Sequence, residues 1–397
     1  MRRRFLALAG VTVAIIATTV ILKPARAATD ASSFRTPWGD PDLQGIWTDL
    51  WQAPLERPAL YRDKTHFTEE ERAELDRKRA TIPRMGDRNV RRGTETSVSG
   101  AYNGVFLPLR PTGPRTSLIV DPQDGKVPPL TPEARKRRDD MRAFQLALMQ
   151  ATETCKSKDP ACAGGTYGPP SPRRFETPPH YVTSNINRVD GPEDRSVGER
   201  CMRATLPDFG GVVGLFQEII QTRDTVSIFY DTGQGQGWQR IIPVSNRPHL
   251  PGHVRQWAGD SRAHWEGNTL VVEVTNFSPK TDWQGSRENL RLIERWTRVN
   301  EHMIDYVVTI EDPTTWTTSW TIRQDLTRQS TQANRIYKEP RCHEGNYGLV
   351  GLLWGARVAE KEFAQGRGPD PATRCVSACG GGGGDDEEVD PLAARPF

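Results

Sequence analysis

From about residue 211 to residue 340, apolar and polar side chains alternate. In TVSIFYD, Val226, Ile228 and Tyr230 share one face, and in NTLVVEVTNF, Leu270, Val272 and Val274 do. NLRLIERWTRV aligns Leu290, Leu292, Glu294 and Trp296, and HMIDYVVTIED aligns Ile304, Tyr306, Val308 and Ile310. TTWTTSWTIRQDL aligns Trp316, Thr318, Trp320 and Ile322. A period of two marks a half-buried strand. With LFQEIIQT, GWQRIIPV and QANRIYKEP, about eight strands follow one another through short links. That pattern predicts an antiparallel meander closing as a β-barrel. The fold expected is therefore mainly β, an antiparallel barrel of about eight strands with a helical or irregular N-terminal part and a C-terminal helix.

After Asn346 the period becomes helical, through Leu349, Leu352, Leu353, Ala356 and Phe363, and stops at Gly366. Two further helices are predicted upstream. Residues 67–80 have Thr68 as cap and acidic residues in the first turn, and residues 131–152 have Thr131 as cap and Pro132 in the first turn. Short strands are predicted from Gly45 to Thr48 and at TSLIVD, and Pro/Gly-rich segments separate these elements. Four regions result: 1–27, 28–200, the barrel with its helix over 201–366, and a tail over 367–397. A glycine run and an acidic run in the tail cannot build a core, so disorder is expected there.

The first region reads as an export signal. MRRRF is a charged start, LALAGVTVAIIATTVIL is apolar, and ARA offers a cleavage site after Ala27. RRRFL also fits the twin-arginine pattern. The expected location is periplasmic or secreted, with membrane contact only through this signal. The alternative is an uncleaved anchor. Six cysteines in an exported chain imply disulfides. Pairing Cys155 with Cys162, Cys375 with Cys379, and Cys201 with Cys342 leaves no thiol over, although sequence does not fix connectivity. A net charge of only +3 argues against nucleic acid.

The blocks PWGDPDLQGIW, RPHLPGHVRQWAGDSRAHWEGNTLVVEVTNF, ERWTRV, TIEDPTTWTTSWT and CHEGNYGLVGLLWGARVAE occur in that order over residues 36–362. They resemble the signature blocks of a large family of secreted, uncharacterised bacterial proteins. The resemblance implies export and brings no reaction with it. GIW followed by an antiparallel barrel and a helix is also similar to lipocalins, which would imply an apolar ligand inside the barrel. The long insertion after Trp47 departs from the lipocalin plan.

Candidate chemistry concentrates in a few places. Residues 245–268 read as a loop of more than twenty residues between strands, a length that is commonly functional. Trp257 and Trp265 would make it a folded gate or a flap over the barrel end. His249 and His253 are four apart, but Pro251 and Gly252 break the helix that a shared metal would need, so no metal is expected. GDSRAH places Asp260, Ser261 and His264 together, yet G-x-S-x-G is absent and a turn through the side-chain oxygens explains the run. Glu294 lies on an otherwise apolar strand face. It is either a general acid/base with a raised pKa or the partner of an inward arginine such as Arg240.

In RCHEGNYGL, Cys342, His343 and Glu344 are adjacent. Neighbours in an extended run face apart, so Cys342 and His343 do not readily cooperate. A bridge from Cys342 to Cys201 is favoured, leaving His343 as the polar residue at the rim.

Two functional readings follow. One is a small apolar or aromatic ligand held in the barrel by Trp257, Trp265, Arg240, Trp296 and Trp320. The other is a hydrolase, lyase or isomerase using His343, His249, Glu294 and Glu266 in the same cavity. A structural envelope protein is the third possibility. No dinucleotide glycine pattern, phosphate loop or haem-attachment motif occurs, so no cofactor is expected.

Overall fold

A computed structural model describes residues 34–81, 110–202, 205–209, 216–231, 237–329, 336 and 342–376. The export signal and the tail from residue 377 lie outside the described residues, as does Cys379. So does the strand expected at 332–340, apart from the buried Ile336.

Ten strands are described: β1 (Gly45–Asp49), β2 (Ile119–Asp121), β3 (Phe216–Gln221), β4 (Thr225–Asp231), β5 (Gly237–Pro243), β6 (Asp260–Glu266), β7 (Thr269–Thr275), β8 (Arg291–Asn300), β9 (Met303–Glu311) and β10 (Trp320–Arg328). Nine of them run in the order β5-β4-β3-β1-β10-β9-β8-β7-β6, every pairing antiparallel. The two ends of this sheet nearly meet. Val244, just past β5, bridges Ala263 of β6, and the Ser245 N–H donates to the Ala263 carbonyl at 2.9 Å. The result is a nearly closed nine-stranded barrel. β1 is its keystone, because it pairs with β10 on one side and β3 on the other and so joins the two meanders away from the β5–β6 seam. β2 pairs with β10 at Ile119 and Ile322, continuing along the edge that β1 occupies further on.

Alternation places one face of each strand inside. β8 buries Leu292, Glu294, Trp296 and Arg298; β9 buries Ile304, Tyr306, Val308 and Ile310; β10 buries Trp320, Ile322, Gln324 and Leu326. Trp47 on β1 is fully buried, its indole N–H donating to the Leu43 carbonyl at 2.9 Å. Burying an aromatic ring of this size is among the largest single contributions a core can make.

β6 corrects the expected loop 245–268. Asp260 to Glu266 is a barrel strand, and the irregular connection ends at Gly259. The reason lies in its inward positions. Ser261 and Ala263 are small or polar, so no aliphatic alternation marks the strand, although both are buried.

Four helices are described: α1 (Glu69–Thr81), α2 (Pro132–Met149), α3 (Glu153–Lys156) and α4 (Tyr347–Ala364). The caps of α1, α2 and α4 are those the sequence predicts. Thr68 and Glu71 bond reciprocally at the start of α1, Thr131 accepts from the Ala134 N–H, and Asn346 accepts from the Gly348 and Leu349 N–H groups. Among the described residues no helix is long and apolar enough to cross a membrane. Outside the barrel, Phe144 and Leu148 of α2 pack on Val182 and Ile186. Residues 367–376, placed in the tail by sequence, are tied back: Asn187 bonds the Arg374 carbonyl and the Val376 N–H.

Candidate functional site

Inside the barrel, β5, β6, β8 and β9 bring charge together. Glu294 is 0% exposed and Arg240 is 4% exposed. The Arg240 guanidinium grips both Glu294 oxygens, at 3.1 and 2.5 Å. Its Nε donates to Ser261 Oγ at 3.0 Å and one terminal nitrogen reaches the Tyr230 hydroxyl at 3.4 Å. The Tyr306 hydroxyl donates to Glu294 Oε1 at 2.7 Å. A bidentate pair with its remaining lone pairs satisfied is the arrangement a buried ion pair requires. Burial opposes the Arg240 charge, but Glu294 more than offsets it and the guanidinium pKa is raised. Burial also lifts both tyrosine hydroxyls, and the Glu294 charge lifts Tyr306 further, so both stay neutral, Tyr306 donating to Glu294 and Tyr230 accepting from Arg240.

Aromatic rings and amides surround this cluster at one level of the barrel. Tyr230 stacks on Trp238 with centroids 4.5 Å apart, Trp296 lies 4.2 Å from Tyr306, and Phe209 tilts against Tyr306 at 5.9 Å. In register, Tyr230 lies between Gln217 and Trp238, and Tyr306 lies between Gln324 and Trp296. Four buried polar atoms of this level have no hydrogen-bond partner among the described residues: Gln217 Oε1, Gln324 Oε1, Trp238 Nε1 and Trp296 Nε1. Buried polar atoms are nearly always paired, and each unpaired one costs roughly 1–3 kcal/mol.

The structure brings Arg240, Glu294 and Trp296 into this one site. Trp320 is also buried in the barrel but stacks on Trp283 at 5.3 Å. Trp265 packs on the barrel core from a half-buried position. Trp257 lies outside the site, edge-on to Tyr181 at 6.3 Å.

The four residues considered for acid–base chemistry sit in four different places. Glu294 is the inward ion-pair partner. Glu266 is on the exposed β6–β7 hairpin, bonded to Arg295 and His264, which hold its carboxyl below the usual range. His249 donates from Nδ1 to Asp260 at 2.8 Å, and its Nε2 is 3.9 Å from Glu273. His343 is exposed, its ring bonded to the Glu344 carbonyl at 3.1 Å. Among the described residues, no group of three or more His, Cys, Asp or Glu side chains is placed to hold a metal.

The CHE run is a junction. Cys342 bridges Cys201, with Cα atoms 5.3 Å apart, and Cys155 bridges Cys162 at 5.1 Å. Two disulfides indicate an oxidising compartment. Beside the first bridge, Glu344 accepts from Arg200 at 2.8 and 2.5 Å. Sequence reasoning missed Tyr230, Tyr306, Ser261, Trp238, Gln217, Gln324 and Phe209 as site residues. The signal for four of them was present in the alternation, which places Gln217, Tyr230, Tyr306 and Gln324 on inward faces.

No protein-family model matches the chain, and no curated protein matches it.

Proposed function

We propose that this is an exported protein, a member of the secreted bacterial family its sequence blocks resemble, that holds a small aromatic molecule inside its β-barrel. The observation that carries this reading is the level of the barrel where Gln217, Gln324, Trp238 and Trp296 each bury a polar atom without a partner among the described residues. Two are acceptors and two are donors. A flat molecule with one polar edge would lie among Tyr230, Trp238, Trp296 and Tyr306 and complete all four, while the rings supply apolar contact. The Arg240–Glu294 pair fixes the wall, since its own atoms are satisfied internally. The disulfides and the N-terminal residues 1–27 support export. The separation of His343, His249, Glu294 and Glu266 favours binding over acid–base catalysis.

The test is native purification followed by mass spectrometry of any released small molecule, with titration of 1-aminoanthracene against the emptied protein. The expected result is one molecule per chain and saturable fluorescence that Gln324→Leu abolishes. The same substitution removes an unpaired buried oxygen, so it should raise stability to urea by about 1 kcal/mol. Absence of both a retained molecule and saturable probe binding would overturn the reading.

A further inference from the structure

A second site lies at the barrel end where β8 starts and β9 finishes. The segment before β8, the turn between β9 and β10, α2 and the chain at His180 and Tyr181 enclose a cleft of about 420 Å³. That volume suits a small organic ligand. The cleft shares no lining residue with the aromatic level inside the barrel.

Its frame is rigid. Asp312, at the floor, accepts from the hydroxyls of Ser286 (2.6 Å), Thr314 (2.7 Å) and Thr315 (2.7 Å) and from the Thr314 N–H (2.8 Å). Arg287 is spent on Asp282 at 2.9 Å and on the carbonyls of Pro279 and Tyr181. Other groups are left over. Lys280 Nζ stands 5.1 Å above the Tyr181 ring and makes no hydrogen bond or ion pair among the described residues. Arg137 uses one terminal nitrogen, on Thr314 O and Thr315 Oγ1 at 3.3 and 3.4 Å, and its other nitrogens have no partner among the described residues. Half-buried His180 makes no hydrogen bond among the described residues. Burial, and then Arg287, lower the His180 pKa, so near neutral pH the ring is an uncharged donor.

We propose that this cleft binds a small aromatic monocarboxylate. Lys280 and Arg137 take its charge, His180 donates to it, and Tyr181 and Pro279 carry its apolar body. With Arg287 paired to Asp282, the cations Arg137 and Lys280 face the carboxylates of Glu288 and Asp312, so a dianion such as a phosphate ester would meet more repulsion than a monoanion does.

Calorimetric titration of the full chain with benzoate, benzamide and phenyl phosphate tests this. Benzoate should bind, and benzamide and phenyl phosphate should each bind about tenfold more weakly or not at all, as expected for loss of a charge-assisted contact or gain of a like charge. Lys280→Ala, at an exposed position, and Arg137→Ala, at a half-buried one, should each weaken benzoate by about tenfold. Gln324→Leu should leave benzoate binding unchanged, which separates this site from the barrel interior. The proposal is overturned if benzoate does not bind, if phenyl phosphate binds more tightly, if the Lys280 and Arg137 variants bind benzoate as the parent does, or if Gln324→Leu removes it.

Discussion

At the scale of single residues, the interior ion pair sets the sharpest expectation. Removing either partner leaves an uncompensated charge in the barrel, so Glu294→Leu and Arg240→Leu should each cost about 3–5 kcal/mol. The double variant should cost clearly less than their sum. Urea titration of the four proteins checks this, and additive losses would show that the pair is not coupled. Asp312 makes a second prediction. Burial raises its pKa, but the hydroxyls of Ser286, Thr314 and Thr315 outweigh this, and the pKa is lowered from 3.8. Its stabilisation is therefore present above 3.8 and disappears as pH falls through the lower folded value. Asp312→Asn should lose about 2 kcal/mol near neutral pH, with the two proteins converging in acid, as followed by thermal melts across pH. Glu294 was legible beforehand because one charge interrupts an apolar face. Its partnership with Arg240 was legible only as an alternative, since sequence does not say which strands face across a barrel. The orphaned polar atoms of Gln217 and Trp238 left no trace, because an unpaired atom is a property of packing and not of composition.

At the scale of elements, alternation and capping were sufficient wherever the inward residues are large. β7, β8 and β9 announce themselves through Val, Leu, Ile and Tyr, and α1, α2 and α4 through Thr68, Thr131 and Asn346. β6 did not, because its buried residues at the seam beside β5 are Ser261 and Ala263 rather than large aliphatics. What begins that strand is Gly259, at φ +68°. A Cβ there would stand 2.7 Å from the Thr275 carbonyl oxygen and 2.8 Å from a Val274 methyl. Gly259→Ala should thus cost about 2 kcal/mol, through strain at a left-handed position and displacement of β7. Hydrogen exchange should show the loss concentrated in β6 and β7. Uniform loss over all strands would argue against a local seam.

At the scale of the whole molecule, the meander predicted a barrel but not its joint. A chain that lays its first strand down at Gly45 and returns to the nine-stranded ring at Phe216 closes that ring through β1, a contact no local pattern encodes. The Cys201–Cys342 bridge is a second long-range tie, spanning 141 residues. Removing it with Cys201→Ser and Cys342→Ser should cost about 2–5 kcal/mol. Its reach extends past stability. Next to Cys201, Arg200 holds Glu344 on one side and, at 2.5 Å, the Tyr181 hydroxyl on the other. Tyr181 is a wall of the end cleft, and Trp257 leans on it. The bridge thus anchors, through Arg200, the wall that Tyr181 gives the end cleft. With the bridge cut, the barrel should remain while this wall loosens, so the end site proposed above would be complete only in the oxidised chain. Brief reduction should expose the buried Arg200 to trypsin while the β-sheet circular dichroism persists, and reoxidation should restore protection. If Arg200 stays protected after the bridge is cut, the wall is held by other means.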